Sequence, residues 1–262
     1  MPSVTEEAST ENAVLTEKRG RILIITINRP EAKNAANAAV SHGLAAAMDM
    51  LDEDPGLSVG VLTGAGGTFC AGMDLKAFAR GENVAVKGRG LGFTERPPAK
   101  PLIAAVEGYA LAGGTELALA TDLIVAARNS AFGIPEVKRG LVAAGGGLLR
   151  LPQRIPYAIA MELALTGDTL PAERAHELGL VNVLAEPGGA LEAALELAER
   201  ITANGPLAVA ATKKVIVESR GWTPENQWRE QAAIIMPVFG SKDAKEGAIA
   251  FAEKRAPNWT GT

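Results

Sequence analysis

Residues 102–127 read LIAAVEGYALAGGTELALATDLIVAA. Two short apolar runs, LIAAVEG (102–108) and DLIVAA (122–127), are bounded by turn residues and read as buried strands. Between them TELALA is a short helical stretch that follows a Gly113–Gly114 pair. Strand, glycine turn, helix, strand within so few residues is an α/β signature. One carboxylate, Glu116, stands inside this otherwise small and apolar stretch.

The pattern extends in both directions. RILIITI (21–27), SVGVLTG (58–64) and LVNVLAE (180–186) read as further strands. Residues 37–53 place Val40, Leu44, Ala47, Met48 and Leu51 at helical spacing. AIAMELALTG and PAERAHELG read as helices stopped by glycine. From residue 189 the texture changes to helical patterns alone, in succession to the C-terminus. The expected organisation is a flexible tail over 1–12, an α/β core over 13–195, and a helical region over 196–262. Residues 80–98, RGENVAVKGRGLGFTERPP, are the least regular interior stretch. They fit either an ordinary surface loop or a flap over a ligand.

The 262 residues are enough for a sizeable core, and 47% hydrophobic with 21% charged residues is the balance of a globular chain. A net charge of −4 gives no electrostatic reason to expect nucleic acid or a membrane surface as partner. The polar, acidic N-terminus has neither the basic start nor the apolar run of a signal peptide, so a cytoplasmic location is expected. A single cysteine, Cys70, excludes an intrachain disulfide and reads as a small packed residue. His42 and His176 are far apart and no HExxH occurs, so no metal site is expected. The strand VGVLTG followed by AGGTFCAG invites a dinucleotide-binding reading, but Phe69 stands where GxGxxG needs its third glycine. No phosphate-cradling GxxxxGK[ST] occurs.

The glycines and acids suggest a different chemistry. A helix starting near Gly114 would aim its unpaired first-turn amides at a ligand, and Gly113 carries no side chain to block the approach. A second such amide could come from TFCAGMDLK (68–76), where Gly72 precedes Met73. Two amides converging on one carbonyl oxygen would form an oxyanion hole. In AFGIPEVKRGL (131–141), Glu136 follows Pro135, an ordinary helix start that strand-and-turn geometry could bring beside Glu116. Two such carboxyls, one protonated and one ionised, can move a proton on and a proton off.

Six blocks carry a resemblance: NRPEAKNA (28–35), TFCAGMDL, IAAVEGYALAGGTELALATD, FGIPEVKRGL, GGGLLRLP and LTGDTLPAERAHELGLVNVL. In order and spacing they resemble the enoyl-CoA hydratase/isomerase, or crotonase, family from about residue 13 onward. The resemblance implies a spiral of ββα units with a C-terminal helical trimerisation region, assembled as a homotrimer or a dimer of trimers. It implies an acyl-CoA thioester substrate and no cofactor, CoA being part of the substrate. Met73 and Gly113 match the oxyanion-hole amides, and Glu116 and Glu136 match the two hydratase acids. Substrate or CoA contacts are implied at Lys33, Asn34, Ala35, Ala71, Gly72, Asp74, Lys76 and Ala144. Phe251 and Lys254 resemble residues that reach the CoA of a neighbouring subunit. Where the family commonly has Pro–Gly, Ala143 and Ala144 stand, keeping the amide and adding a methyl near the water pocket.

The leading expectation is therefore hydration of a 2-enoyl-CoA to a 3-hydroxyacyl-CoA. Isomerisation, dehydration of a polar acyl-CoA, thioester hydrolysis and non-catalytic acyl-CoA binding are the alternatives.

Overall fold

The computed structural model describes residues 13–262, and the expected tail over 1–12 lies outside them. A six-stranded sheet runs in the order β1 (Val14–Arg19), β2 (Ile22–Ile27), β3 (Val59–Gly64), β4 (Leu102–Val106), β6 (Leu123–Ala127), β9 (Val183–Ala185). β1 pairs antiparallel with β2, and every other pairing in this sheet is parallel. A smaller sheet joins β5 (Tyr109–Leu111), β7 (Ala131–Gly133) and β8 (Leu170–Pro171). A parallel bridge from Cys70 to Ala110 extends it by one more segment.

The period-2 alternation of side chains divides the apolar residues between two layers. Leu23, Ile25, Ile27, Leu62, Ala104, Val106, Ile124 and Ala126 face the main core, which also contains Val40, Leu44, Met48 and Leu51 of α1 (Ala38–Glu53). Ile22, Ile24, Val59, Val61, Ile103, Ala105 and Val125 face a second cluster with Ala194, Leu195 and Ala198 of α7 (Ala190–Thr202). A parallel sheet buried on both faces needs apolar residues at every position, which is why these strands read as continuous runs. The expected boundary at residue 195 falls inside α7, whose packing joins it to the sheet.

The chain repeats one move. β3 leads through the Cys70 bridge to α2 (Leu75–Ala79), β4 leads through β5 to α3 (Gly113–Leu119), and β6 leads through β7 to a 3-10 turn, Pro135–Arg139. These are ββα units wound in a spiral, the arrangement that the resemblance implies. Each helical turn therefore begins at the edge of the small sheet, and three of them meet there. The remaining helices are α4 (Gly147–Arg154), α5 (Tyr157–Thr166), α6 (Ala172–Glu177), α8 (Pro206–Glu218), α9 (Gln227–Phe239) and α10 (Lys242–Glu253). α8 and α9 pack on each other and bury none of their own residues fully. Lys213 ties α8 to the α/β body, donating to Asp122 Oδ2 at 2.7 Å and to the Lys100 carbonyl at 2.9 Å. Among the described residues, no helix is long and apolar enough to cross a membrane.

Candidate active site

α3 begins under tension. Leu111 N donates to the Cys70 carbonyl at 3.0 Å and Ala112 N to the Gly133 carbonyl at 2.8 Å, fixing the chain between its neighbours. To turn from that strand into the helix, Ala112 adopts φ 51° and ψ −125°, a conformation costly for any residue with a Cβ. The next amide, Gly113 N–H, starts the helix and has no acceptor among the described residues. Met73 N–H likewise donates to none. A Cβ built on Gly113 would lie 3.6 Å from Met73 N, so the two amide positions are adjacent. Gly72, at φ 110°, makes this possible: a Cβ there would stand 2.7 Å from Ala112 Cβ and 3.0 Å from the Leu111 carbonyl. The expected pair of free amides thus sits at the meeting of two ββα units.

Both acids reach the same place. Met73, Gly113, Glu116 and Glu136 all line one cavity of about 560 Å³. Glu116 is 3% exposed and accepts the Gly147 N–H at 3.0 Å through Oε1. Burial pushes its carboxyl above the ordinary range, and the charge of Glu136 pushes the same way. The Gly147 and Gly145 N–H groups and the Arg150 guanidinium oppose that shift. Glu136 is half-buried and is also pushed up, by burial first, with its own N–H and Arg139 opposing. Its Oε2 is buried and has no hydrogen-bond partner among the described residues, leaving an open acceptor. Thr115 holds the two acids' elements together: its hydroxyl accepts Gly133 N–H at 2.9 Å and lies 2.5 Å from the Ala110 carbonyl.

The rest of the wall is mainly apolar, with Leu75, Phe78, Val84, Leu91, Leu141 and Val142. Ala71 and Ala144 line it as well. Cys70 is fully buried behind this wall and burial pushes its thiol up to about 11, so it is a packed residue and no nucleophile.

Several expected contact residues have other work. Asp74 caps α2, accepting Lys76 N–H and Ala77 N–H, and pairs with Arg29 at 3.1 Å. Burial would raise its pKa, but those N–H groups and Arg29 outweigh it and hold the carboxyl below its ordinary value. Asn34 is fully buried with its whole side chain engaged: Oδ1 accepts Arg29 N–H, while Nδ2 donates to the Ala65 and Thr68 carbonyls. It clasps two loops together and offers its side chain to no ligand. The N–H groups of Lys33, Asn34 and Ala35 all bond within their own turn, and the Lys33 and Ala35 carbonyls already accept from Ala71 N–H and Arg29 Nη1. Lys76 is exposed on α2. Phe251 and Lys254 do not line the cavity of their own chain.

The residues that sequence reasoning missed are the supports. Gly145 and Gly147 form a cradle for Glu116: a Cβ on Gly145 would stand 2.6 Å from Oε2, and one on Gly147 would stand 3.1 Å from Cγ. Their signal is the unbroken GGG at 145–147. Glu95 and Arg139 also line the cavity, and nothing in their sequence context marks them.

The chain matches the family model described as Enoyl-CoA hydratase/isomerase over residues 17–262. It is 46% identical to an enoyl-CoA hydratase of Mycobacterium tuberculosis, across 94% of this chain and 95% of that one. It is 42% identical to a carnitinyl-CoA dehydratase of Proteus mirabilis, across 93% and 96%. Among solved structures, an enoyl-CoA hydratase from Mycobacterium tuberculosis is 81% identical with a TM-score of 0.95, covering 95% of this chain and 99% of that one.

Proposed function

The chain belongs to the enoyl-CoA hydratase/isomerase family, and on that premise we propose that it is a hydro-lyase adding water across the 2,3 double bond of a 2-enoyl-CoA. The observation that carries this reading is the pairing of one buried and one half-buried carboxyl with two free amides in one apolar cavity. The thioester carbonyl oxygen accepts Met73 and Gly113 N–H. As charge develops on it in the enolate, each amide contributes about 3–4 kcal/mol. Glu116, ionised, takes a proton from water as its oxygen attacks the β-carbon. Glu136, protonated, holds the same water and delivers a proton to the α-carbon. One proton is taken up and one released, so the product is a 3-hydroxyacyl-CoA and no electrons change hands. Nothing in this scheme calls for a redox cofactor or a metal.

The apolar wall favours an alkyl acyl chain, since Leu75, Phe78, Val84, Leu91, Leu141 and Val142 offer it contact and no hydrogen bonds. A second reading, dehydration of a polar hydroxyacyl-CoA, uses the same two acids in reverse. Glu95 on the cavity wall favours it, because a carboxylate there suits a cationic acyl group. Ala144 lines the cavity, and its methyl, where the family commonly has glycine, would leave less room for the attacking water. On the family resemblance, Lys33, Ala35 and Lys76 would take the CoA portion, and a homotrimer or hexamer would bring Phe251 and Lys254 to a neighbour's CoA.

The test is the absorbance of the conjugated enoyl thioester on mixing with protein. It should fall for alkyl enoyl-CoA substrates, with no release of free thiol. Glu116→Gln and Glu136→Gln should each lower turnover by about a hundredfold or more, the range expected for a lost acid or base, while CoA-ester binding persists. Near-normal turnover in either variant would remove that residue from the reaction. Free thiol would make the protein a thioester hydrolase instead.

A further inference from the structure

The wall over Gly113 and the cradle under Glu116 come from separate segments of the chain. One side chain touches both. Arg150, on α4, donates from Nη2 to the Thr94 carbonyl at 2.6 Å, and its Nη1 lies 3.5 Å from the Gly145 carbonyl. The guanidinium lies so close over Gly146 that any Cβ there would collide with Nη1. On one side, the Thr94 hydroxyl accepts Leu91 N–H at 3.1 Å, and Leu91 Cδ1 stands 2.8 Å from where a Cβ on Gly113 would be. On the other side, Gly147 N–H holds Glu116 Oε1 and Gly145 backs onto Oε2.

Arg150 is half-buried, yet it forms no ion pair among the described residues. A guanidinium in that position is costly unless its donors are used. A leucine or methionine would fill the space more cheaply if packing were all that mattered. The rigid fork of arginine, however, fixes two acceptors in set directions, which neither lysine nor an apolar side chain can do.

We propose that Arg150 is a positioning residue for the reaction: its guanidinium pins the Leu91–Thr94 wall to the 145–147 glycine cradle, so that the amides at Met73 and Gly113 and the carboxyl of Glu116 keep one fixed spacing. This rests on the reading of Glu116 as a working acid. The same guanidinium faces Glu116 as a positive charge. The other charged groups around that carboxyl are Glu136 and Arg139 from the 3-10 turn and Glu95 from the loop before β4. Arg154 and Arg220 carry like charges close enough to oppose that of Arg150.

The experiment compares Arg150→Met and Arg150→Lys with the wild type in three measurements. These are melting temperature, kcat and KM for enoyl-CoA hydration across pH, and carboxyl titration in 13C-glutamate-labelled protein, with the Glu116 signal assigned by its loss in Glu116→Gln. Arg150→Met should lower kcat by about tenfold or more with little change in KM, the mark of lost alignment in the transition state. It should also move the Glu116 titration, and the acid limb of the rate profile with it, to higher pH. Arg150→Lys keeps the charge and loses the fork. It should leave that titration near wild type while kcat stays low, and it carries the test if Arg150→Met does not fold. Full turnover in either folded variant, or activity that falls only in step with melting temperature while titration and pH profile stay put, would overturn the proposal. A wild type that hydrates no enoyl-CoA would overturn the functional reading instead, and the titration would still decide the role of Arg150.

Discussion

Glu116 has given up nearly all its water to sit beside Gly145 and Gly147, and in return it accepts only fixed backbone donors. Burial raises its pKa, and burial also raises that of Glu136. The consequence for stability has a definite sign. A carboxyl whose folded pKa lies above its unfolded value binds more protons folded than unfolded, so stability falls as pH rises through that interval. The contribution is fully present below the unfolded carboxylate range and is lost above the raised folded value. Glutamine mimics the protonated acid and cannot ionise. Glu116→Gln should therefore melt higher than wild type at pH 8, with the gap narrowing toward pH 5, while turnover collapses. Calorimetry at the two pH values checks this, and a variant less stable than wild type at pH 8 would refute the burial cost. Such an exchange of stability for activity is what an acid placed for chemistry should show.

At the scale of elements, α3 is held by two glycines with different duties. A Cβ on Gly114 would run directly into the Cys70 carbonyl, which is backbone and cannot move aside. A Cβ on Gly113 would meet Leu91 Cδ1 at 2.8 Å, the far end of a flexible side chain, and its backbone has no positive φ to protect. Gly114→Ala should thus destabilise the fold strongly. Gly113→Val should leave a folded protein whose turnover drops by more than about a hundredfold, because a loss near 3 kcal/mol of transition-state stabilisation corresponds to that factor. Melting temperature measured beside turnover separates the two, and a folded, fully active Gly113→Val protein would sink the oxyanion assignment. The two duties were not distinguishable in the sequence, where both read as GG. The long apolar strands β2, β3, β4 and β6 were legible because burial on both faces leaves an unbroken apolar run. β1 was not, since VLTEKR shows five exposed residues in six and carries no apolar period. β5, β7 and β8 were not either, being too short for any period to show. The acids and amides were legible as types at set spacings. Gly145, Arg150 and Thr115 act through distances between segments far apart in the chain, which no local pattern records.

At the scale of the whole molecule, the α/β body covers both faces of its large sheet without help from α8, α9 or α10. Those helices instead display Ile216, Val217, Trp228, Met236, Phe239 and Phe251 to solvent, with Trp228 and Phe239 at 72% exposure and Phe251 at 87%. Apolar surface on that scale calls for a partner, and for identical chains closed symmetry is the common solution. Light scattering should give a trimer or a hexamer at micromolar concentration. Phe251 makes the sharper test, because it sits just before the end of α10 and away from its own chain's cavity. If it completes a neighbour's CoA site, Phe251→Ala should raise KM several-fold with kcat and melting temperature nearly unchanged, since binding energy lost equally from ground and transition states appears in KM alone. Diluting the wild type until the assembly dissociates should raise KM in the same way. An unchanged KM in a Phe251→Ala protein that still assembles would confine this residue to subunit packing, and each chain's CoA site would then be complete without its neighbour.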